Sequence, residues 1–268
     1  MSTVDLDAYF ERIGWGGAVR PTLETLGGVL AAHMARIPFE NLDVLLGRPL
    51  RLDLEGLQAK MVRGRRGGYC FEHATLLGAA LEQIGFRLSR HTARVTVLSP
   101  RSQSPRTHML LAVALPEGTF VLDPGFGALA PRVPVPLAAG REARADREVH
   151  RMLPDGRHWI LQADVDGKQV DAWATALEDD VPLDFELGNH FTATHPTSPF
   201  VNRLMLRALI PGGRVSAMNR DVRILRDGEA RAFQLADRAA LRGLLAEHFG
   251  FDLPEVEKLR IPTVPEWS

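Results

Sequence analysis

The chain contains one strongly nucleophilic side chain, and it stands where two glycines meet an apolar segment. Cys70 is the only cysteine among 268 residues and follows Gly67 and Gly68 in the stretch RGGYCFEHATLL. A thiolate is a strong nucleophile, so a single cysteine can carry covalent catalysis. A buried cysteine can equally pack as a small hydrophobic residue. The residue type alone leaves both roles open.

The spacing after the cysteine predicts an amphipathic helix over residues 70–84. Apolar residues recur every three or four positions from Cys70 to Ile84, and Gly85 follows as a C-cap. The N-terminus of a helix carries a charge of about +0.5, which favours a thiolate there. The preceding glycines leave room for a ligand close to the backbone. Cys70 shares the buried face of this helix, so the pattern is compatible with both roles.

A nucleophilic cysteine needs a base, and the base needs an orienting group. His108 lies in the apolar run 107–115, which predicts a buried strand, and the next predicted strand ends at Asp123. In a hairpin that turns at residues 117–118, position 112 faces Asp123. His108 then lies four residues away, about 13 Å along the strand. A histidine in the core and an aspartate that starts a turn remain an alternative, and the spacing does not establish the pair.

The remaining pattern divides the chain into helices, strands and a mixed region. The first third predicts helices over 22–35, 53–62 and 70–84. Short strands then follow at 95–98, 107–115, 119–122, 148–153, 158–163 and 169–174, with turn residues between the last three. The last third predicts strands over 200–210 and 221–225 and a helix over 236–249. This order predicts an α+β fold with an antiparallel, barrel-like sheet.

Composition excludes several classes of protein. The formal net charge is −1, so no overall field attracts nucleic acid or an anionic membrane. A single cysteine rules out an internal disulfide and a cysteine-rich zinc site, and no His, Cys and carboxylate set has metal-ligand spacing. Residues 1–15 do not resemble a secretory signal, and no apolar stretch is long enough for a membrane helix. We therefore expect a cytoplasmic protein without a metal; the sequence carries no signal for an oligomeric state.

Five segments, taken together, resemble the arylamine N-acetyltransferases. Each match is weak alone, but all occur in the family's order and spacing and cover most of the chain. The segments are IPFENL at 37–42, RGGYCFE at 66–72, THMLL at 107–111, LDPGFG at 122–127, and the pair FELGN and THPTSPF at 185–200.

The resemblance implies a triad of Cys70, His108 and Asp123 in a cysteine-protease-like core. It also implies three parts: a helical bundle over 1–86 that carries the nucleophile, an antiparallel β-barrel over 87–190 that carries the histidine and aspartate, and an α/β lid over 191–268.

The implied reaction is acetyl transfer from acetyl-CoA to the nitrogen of an arylamine or arylhydrazine. It proceeds by a ping-pong route through an acetyl-cysteine, without a permanently bound cofactor. We expect the backbone N–H of Cys70 to contribute to an oxyanion hole. The other substrate-binding residues that the resemblance implies are Phe39, Val95 and Phe126 for the acceptor, Gly125 and Gly127 beside pantetheine, and Ser104, Thr197 and Ser198 near CoA.

Three other functions are compatible with the sequence. An amide synthase of the same superfamily, which closes a macrolactam or releases a chain, would use the same triad. A transglutaminase-like cysteine hydrolase would act without a thioester. A non-catalytic binding module would be unaffected by Cys70→Ala.

Overall fold

The N-terminal part is built from helices whose ends are capped by side chains or by glycine. The computed structural model describes residues 3–97, 99–165 and 167–267. Asp5 and Thr22 cap the first two helices by accepting backbone N–H bonds, and Gly85 ends the fifth in the left-handed conformation. The helices are α1 (Leu6–Ile13), α2 (Leu23–Arg36), α3 (Leu42–Leu45), α4 (Leu54–Leu57), which continues as a π-helix over Gln58–Arg63, and α5 (Cys70–Ile84).

The middle of the chain forms an antiparallel sheet of eight strands. The strands are β2 (Arg87–Val95), β3 (Arg106–Leu115), β4 (Gly118–Leu122), β5 (Val135–Pro136), β6 (Glu142–Ala145), β7 (Glu148–Asp155), β8 (His158–Val165) and β9 (Lys168–Thr175). Their order is β5-β4-β3-β2-β9-β8-β7-β6. The two outermost strands, β5 and β6, also approach each other, so the sheet nearly closes into a barrel.

A second antiparallel sheet contains residues from both ends of the chain. Its order is β1-β10-β11-β12-β13, where β1 (Phe39–Glu40) comes from the helical part. The others are β10 (Met205–Ile210), β11 (Gly213–Met218), β12 (Asp221–Arg226) and β13 (Glu229–Gln234). Along the chain, α6 (Pro182–Thr194) and α7 (Pro199–Asn202) connect β9 to β10. After β13 come α8 (Arg238–Leu244) and a π-helix over Leu245–Phe249.

Three apolar cores hold these parts together. One joins the helices to β3 and β4, the second lies between the small sheet and α8, and the third fills the barrel around Trp173. α5 belongs to the first core, so the helix that starts at Cys70 rests directly on the strand that carries His108.

The α+β prediction is confirmed, and α5 begins and ends where the sequence predicts. The strand predicted at 95–98 is wrong: β2 begins directly after α5 and ends at Val95, while Leu98 lies outside the described residues. The helix α6 was not predicted, and it crosses the boundary proposed at residue 190. The division into parts over 1–86, 87–190 and 191–268 stays a prediction.

Candidate active site

Cys70 occupies the first position of α5 and is almost completely buried. Only 3% of its surface is exposed. The Glu72 carboxylate caps the helix start by accepting the Tyr69 N–H at 3.1 Å. A Cβ on Gly68 would come within 2.6 Å of that carboxylate, so glycine is needed there. The N–H of Cys70 belongs to the first helical turn, where no helical carbonyl precedes it as an acceptor.

The β3–β4 hairpin brings His108 and Asp123 together by a register that differs from the predicted one. Leu115 pairs with Gly118 and Leu111 with Leu122, so the turn is the tight pair of residues 116–117. This register places Asp123 two positions closer to His108 than a turn at 117–118 would. The remaining offset along the strand is about 7 Å, which two side chains can span.

Asp123 accepts hydrogen bonds from two buried rings. His108 Nε2 lies 2.9 Å from Asp123 Oδ2, and the indole N–H of Trp173 donates to the same oxygen at 2.7 Å. All three side chains are at most 2% exposed. With Nε2 bound to the carboxylate, Nδ1 of His108 is the nitrogen left for the thiol of Cys70. The Cys70 Sγ also lies 3.8 Å from the carbonyl oxygen of Thr107.

This environment holds His108 in its protonated form. Burial opposes protonation, but the charge of Asp123 and hydrogen bonds to Asp123 and Cys70 outweigh it and raise the pKa of His108 to about 10. An imidazolium beside a thiol can balance the charge of a thiolate. The arrangement can therefore hold a cysteine ready for attack on a carbonyl carbon.

The raised pKa of His108 makes a prediction about stability. The folded protein keeps a proton that the unfolded chain releases near pH 6.5, so this contribution is complete below pH 6.5 and lost as the pH rises to about 10. We expect the free energy of unfolding, measured with urea, to fall across this window in the wild type. His108→Gln should lack that part of the decline. Equal slopes in the two proteins would contradict the protonated state of His108.

The loop after Asp123 packs directly on the backbone of Cys70. A Cβ on Gly125 would lie 2.4 Å from Cys70 Cα and 3.0 Å from Cys70 N. Glycine at this position lets the segment that carries Asp123 touch the start of α5. A contact within the protein thus explains why residue 125 is glycine. The expected contact of Gly125 with pantetheine stays a prediction.

Gly125→Ala is expected to separate the two catalytic segments. The clash is with backbone atoms, so the loop or the helix start must shift by a substantial fraction of an ångström, and we expect kcat/KM to fall by about 10²-fold. Gly243 in α8 has nothing within 4 Å of its Cβ position, so Gly243→Ala is a matched control that should keep full activity. An active Gly125→Ala enzyme would show that this contact does not set the geometry.

A buried ion network fixes the loop that precedes Cys70. Arg66 Nε donates to Glu40 at 2.9 Å, and Lys60 bridges Asp43 and Glu72 at 2.7 Å each. Since Glu72 also binds the N–H of the residue before Cys70, the network reaches the helix start. Pairing makes burial of these charges tolerable, and loss of one partner would leave an unpaired buried charge.

Aromatic rings surround the triad. Phe126 stands edge-on to the His108 ring with 4.9 Å between centroids. Phe200 makes edge contacts with Phe39 and Tyr69 at 6.3 and 5.2 Å. The half-buried rings Phe39, Phe126 and Phe200 offer a flat apolar wall of the kind that binds aromatic ligands.

The other predicted substrate-binding residues lie in different settings. Val95 pairs across strands with Trp173, and the ring of Phe39 lies 3.5 Å from the Cβ position of Gly127. The Ser104 hydroxyl donates to nearby carbonyls of its own loop. Ser198 is buried and caps α7, whereas Thr197 is exposed and contacts His195. Contacts of these residues with substrates stay predictions.

Two residues at the site were not identified from the sequence. Trp173 supports Asp123 from β9, fifty residues away along the chain, and its only signal was a tryptophan in an alternating strand. Phe200 ends one of the matched segments, yet its contact with Phe39 depends on the packing of α7 against β1.

The described part of the chain holds neither a metal-binding cluster nor a membrane-spanning helix. Within residues 3–97, 99–165 and 167–267, no three His, Cys, Asp or Glu side chains are grouped to hold a metal ion. No helix in the described part of the chain is long and apolar enough to cross a membrane.

Known proteins are similar to this chain in both sequence and fold. A family model described as N-acetyltransferase matches residues 22–258. The arylamine N-acetyltransferase of Mycobacterium tuberculosis strain H37Rv is 37% identical over 262 residues, which cover 94% of this chain and 91% of the relative. A Salmonella typhimurium relative, named arylamine N-acetyltransferase / N-hydroxyarylamine O-acetyltransferase, is 34% identical over 94% of this chain and 90% of its own.

Solved structures agree with the sequence comparison. The Mycobacterium marinum arylamine N-acetyltransferase superimposes with a TM-score of 0.89 at 36% identity, covering 94% of each chain. A structure of the same enzyme in complex with CoA gives a TM-score of 0.88 at 36% identity, again over 94% of each chain. The family-model match, over residues 22–258, includes every element that carries the site. This chain belongs to the arylamine N-acetyltransferase family.

Proposed function

We propose that this enzyme transfers an acetyl group from acetyl-CoA to the nitrogen of an arylamine or arylhydrazine, with Cys70 as the acetyl carrier. The observation that carries the proposal is the buried contact of His108 with Asp123 at 2.9 Å beside the thiol at the start of α5. Membership of the arylamine N-acetyltransferases and the CoA complex of the M. marinum relative support the choice of donor and acceptor.

The first half-reaction loads the cysteine. The Cys70 thiolate attacks the acetyl carbon of the thioester, and the negative charge moves to the carbonyl oxygen. The N–H of Cys70 is our candidate donor to that oxygen. The bond from carbon to the CoA sulfur then breaks, and CoA leaves with a proton from His108.

The second half-reaction unloads the cysteine. The amine nitrogen attacks the acetyl-cysteine, His108 accepts a proton from the nitrogen, and the carbon–sulfur bond breaks to restore the Cys70 thiolate. Asp123 keeps the His108 ring oriented in both steps. The rings of Phe39, Phe126 and Phe200, together with Val95, would hold the flat acceptor beside the thioester.

Steady-state kinetics test this proposal. Initial rates are measured with acetyl-CoA varied at several fixed concentrations of an arylamine, an arylhydrazine and, for comparison, a saturated aliphatic amine. We expect parallel double-reciprocal lines with both aromatic acceptors and far slower turnover with the aliphatic amine. Intersecting lines would show that donor and acceptor react in a ternary complex, without an acetyl-enzyme carrier. Absence of acetylated product would favour the amide synthase or hydrolase alternatives.

A further inference from the structure

Two buried histidines below the active site form a hydrogen-bonded chain that the proposed reaction does not use. Tyr9 Oη lies 2.8 Å from His33 Nδ1, and His33 Nε2 lies 2.8 Å from His73 Nδ1. His73 Nε2 lies 3.2 Å from the carbonyl oxygen of Pro38. The three side chains come from α1, α2 and α5 and are at most 1% exposed.

The hydrogen positions in this chain follow from its last acceptor. A carbonyl oxygen can only accept, so His73 Nε2 carries hydrogen. In a neutral His73 ring, Nδ1 has no hydrogen and accepts from His33. His33 Nε2 then donates, and its Nδ1 accepts from Tyr9. This direction requires both rings to be neutral.

The surrounding charges agree with neutral rings. Burial lowers the pKa of His73 to about 4, and the positive charge of Lys60 lowers it further. Hydrogen bonds to the carbonyls of Pro38 and Gly68 and the negative charge of Glu40 oppose this shift without cancelling it. Burial, His73 and Arg12 lower the pKa of His33 well below 6.5.

The end of the chain meets the segment that leads to the nucleophile. The Pro38 carbonyl accepts the Gly68 N–H at 3.2 Å, and Gly68 O accepts the Glu40 N–H at 2.9 Å. A Cβ on Gly67 would lie 1.9 Å from the same Pro38 oxygen. His73 therefore binds the point where residues 38–40 and 67–68 are joined, two residues before Cys70.

His73 also lies beneath the segment that carries Asp123. The Cβ position of Gly125 is 3.2 Å from His73 Cβ and 2.4 Å from Cys70 Cα. The imidazole of His73 thus binds the segment before Cys70, while the Cβ of the same residue lies against Gly125 in the loop that follows Asp123. We propose that His73, held by His33 and Tyr9, is a positioning residue that fixes the Cys70 thiol against the loop of Asp123.

This inference rests on the proposed function, and its test separates the two. The rate of Cys70 acetylation at saturating acetyl-CoA is measured in single turnover by intact mass, at a temperature where every variant is folded. His73→Leu should lower this rate at least about tenfold, since a displaced reacting atom loses near-attack geometry. His73→Gln keeps an amide donor for Pro38 and an acceptor for His33, so it should recover most of the rate.

Leu81 provides a control for a loss of stability alone. The Leu81 side chain is fully buried and lies near the end of α5 that is far from Cys70. Leu81→Ala should therefore lower the melting temperature without lowering the acetylation rate. If His73→Leu acetylates as fast as wild type, His73 has only a structural role and the inference fails. If the wild type itself is not acetylated, the proposed function fails instead.

A spectroscopic measurement on the wild type needs no variant to fold. Nitrogen-15 spectra of histidine-labelled protein should show His33 and His73 as neutral Nε2–H tautomers at neutral pH, with His73 taking up a proton only as the pH approaches about 4. An Nδ1–H tautomer or a positive ring at His73 would overturn the directed chain and the positioning role.

Discussion

Cys70→Ala is expected to lower kcat/KM for arylamine acetylation by about 10⁴- to 10⁶-fold, because removal of the nucleophile leaves the other members of the triad nothing to activate. The substitution removes only one sulfur atom from a site that is 3% exposed, so the fold should be kept. Activity is measured as acetylated arylamine formed, and folding is checked by circular dichroism and melting temperature.

A neighbouring substitution controls for changes to the helix itself. Thr75→Ala removes a similarly small group from a half-buried position of α5, and its hydroxyl contacts only the sulfur of Met109 at 3.9 Å among the bonds described. It should keep activity close to that of wild type. If Cys70→Ala stayed active, the thiol would not carry the acetyl group.

Asp123→Asn is expected to lower kcat by roughly 10⁴-fold while leaving the fold intact. The amide oxygen can still accept from Trp173 and His108, but the negative charge that raises the pKa of His108 is gone. His108 then no longer remains protonated at neutral pH, and it cannot balance a thiolate.

The pH profile distinguishes loss of charge from loss of structure. In Asp123→Asn, the His108 ring should titrate well below pH 10, and the stability decline between pH 6.5 and 10 should shrink. Asp171 lies on the same barrel, exposed and bonded to Gln162, so Asp171→Asn should leave activity unchanged. A fully active Asp123→Asn variant would show that the Asp123 carboxylate has no part in the mechanism.

Local patterns predicted the elements whose signals are contained in one segment. α5 has a regular apolar period, a reactive residue at one end and Gly85 at the other, so both ends were predicted correctly. β2 is not predicted from the sequence because the first half of the strand alternates only between exposed and half-buried residues, two of which are arginines. α6 was missed because Leu183 and Leu187 are exposed, and Gly188 interrupts the helical pattern in order to fit against Phe71 and Arg106.

The arrangement of the site depended on contacts between distant segments. His108 and Asp123 could be named from the sequence, but their contact required a two-residue turn that lies one residue earlier in the chain than the predicted one. The Trp173 bond to Asp123 depends on closure of the barrel, and the His33–His73 pair depends on how α2 packs on α5. The spacing of apolar residues within one segment does not indicate which distant segment that segment contacts.

We infer that Cys70 carries the acetyl group. Intact-mass measurement after brief exposure to acetyl-CoA, without an acceptor, tests it directly in the wild type and in Cys70→Ala. We predict that the wild type gains the mass of one acetyl group, that Cys70→Ala gains none, and that adding an arylamine returns the wild type to its original mass. A wild type that gains nothing, or a mutant that gains as much, would contradict the account.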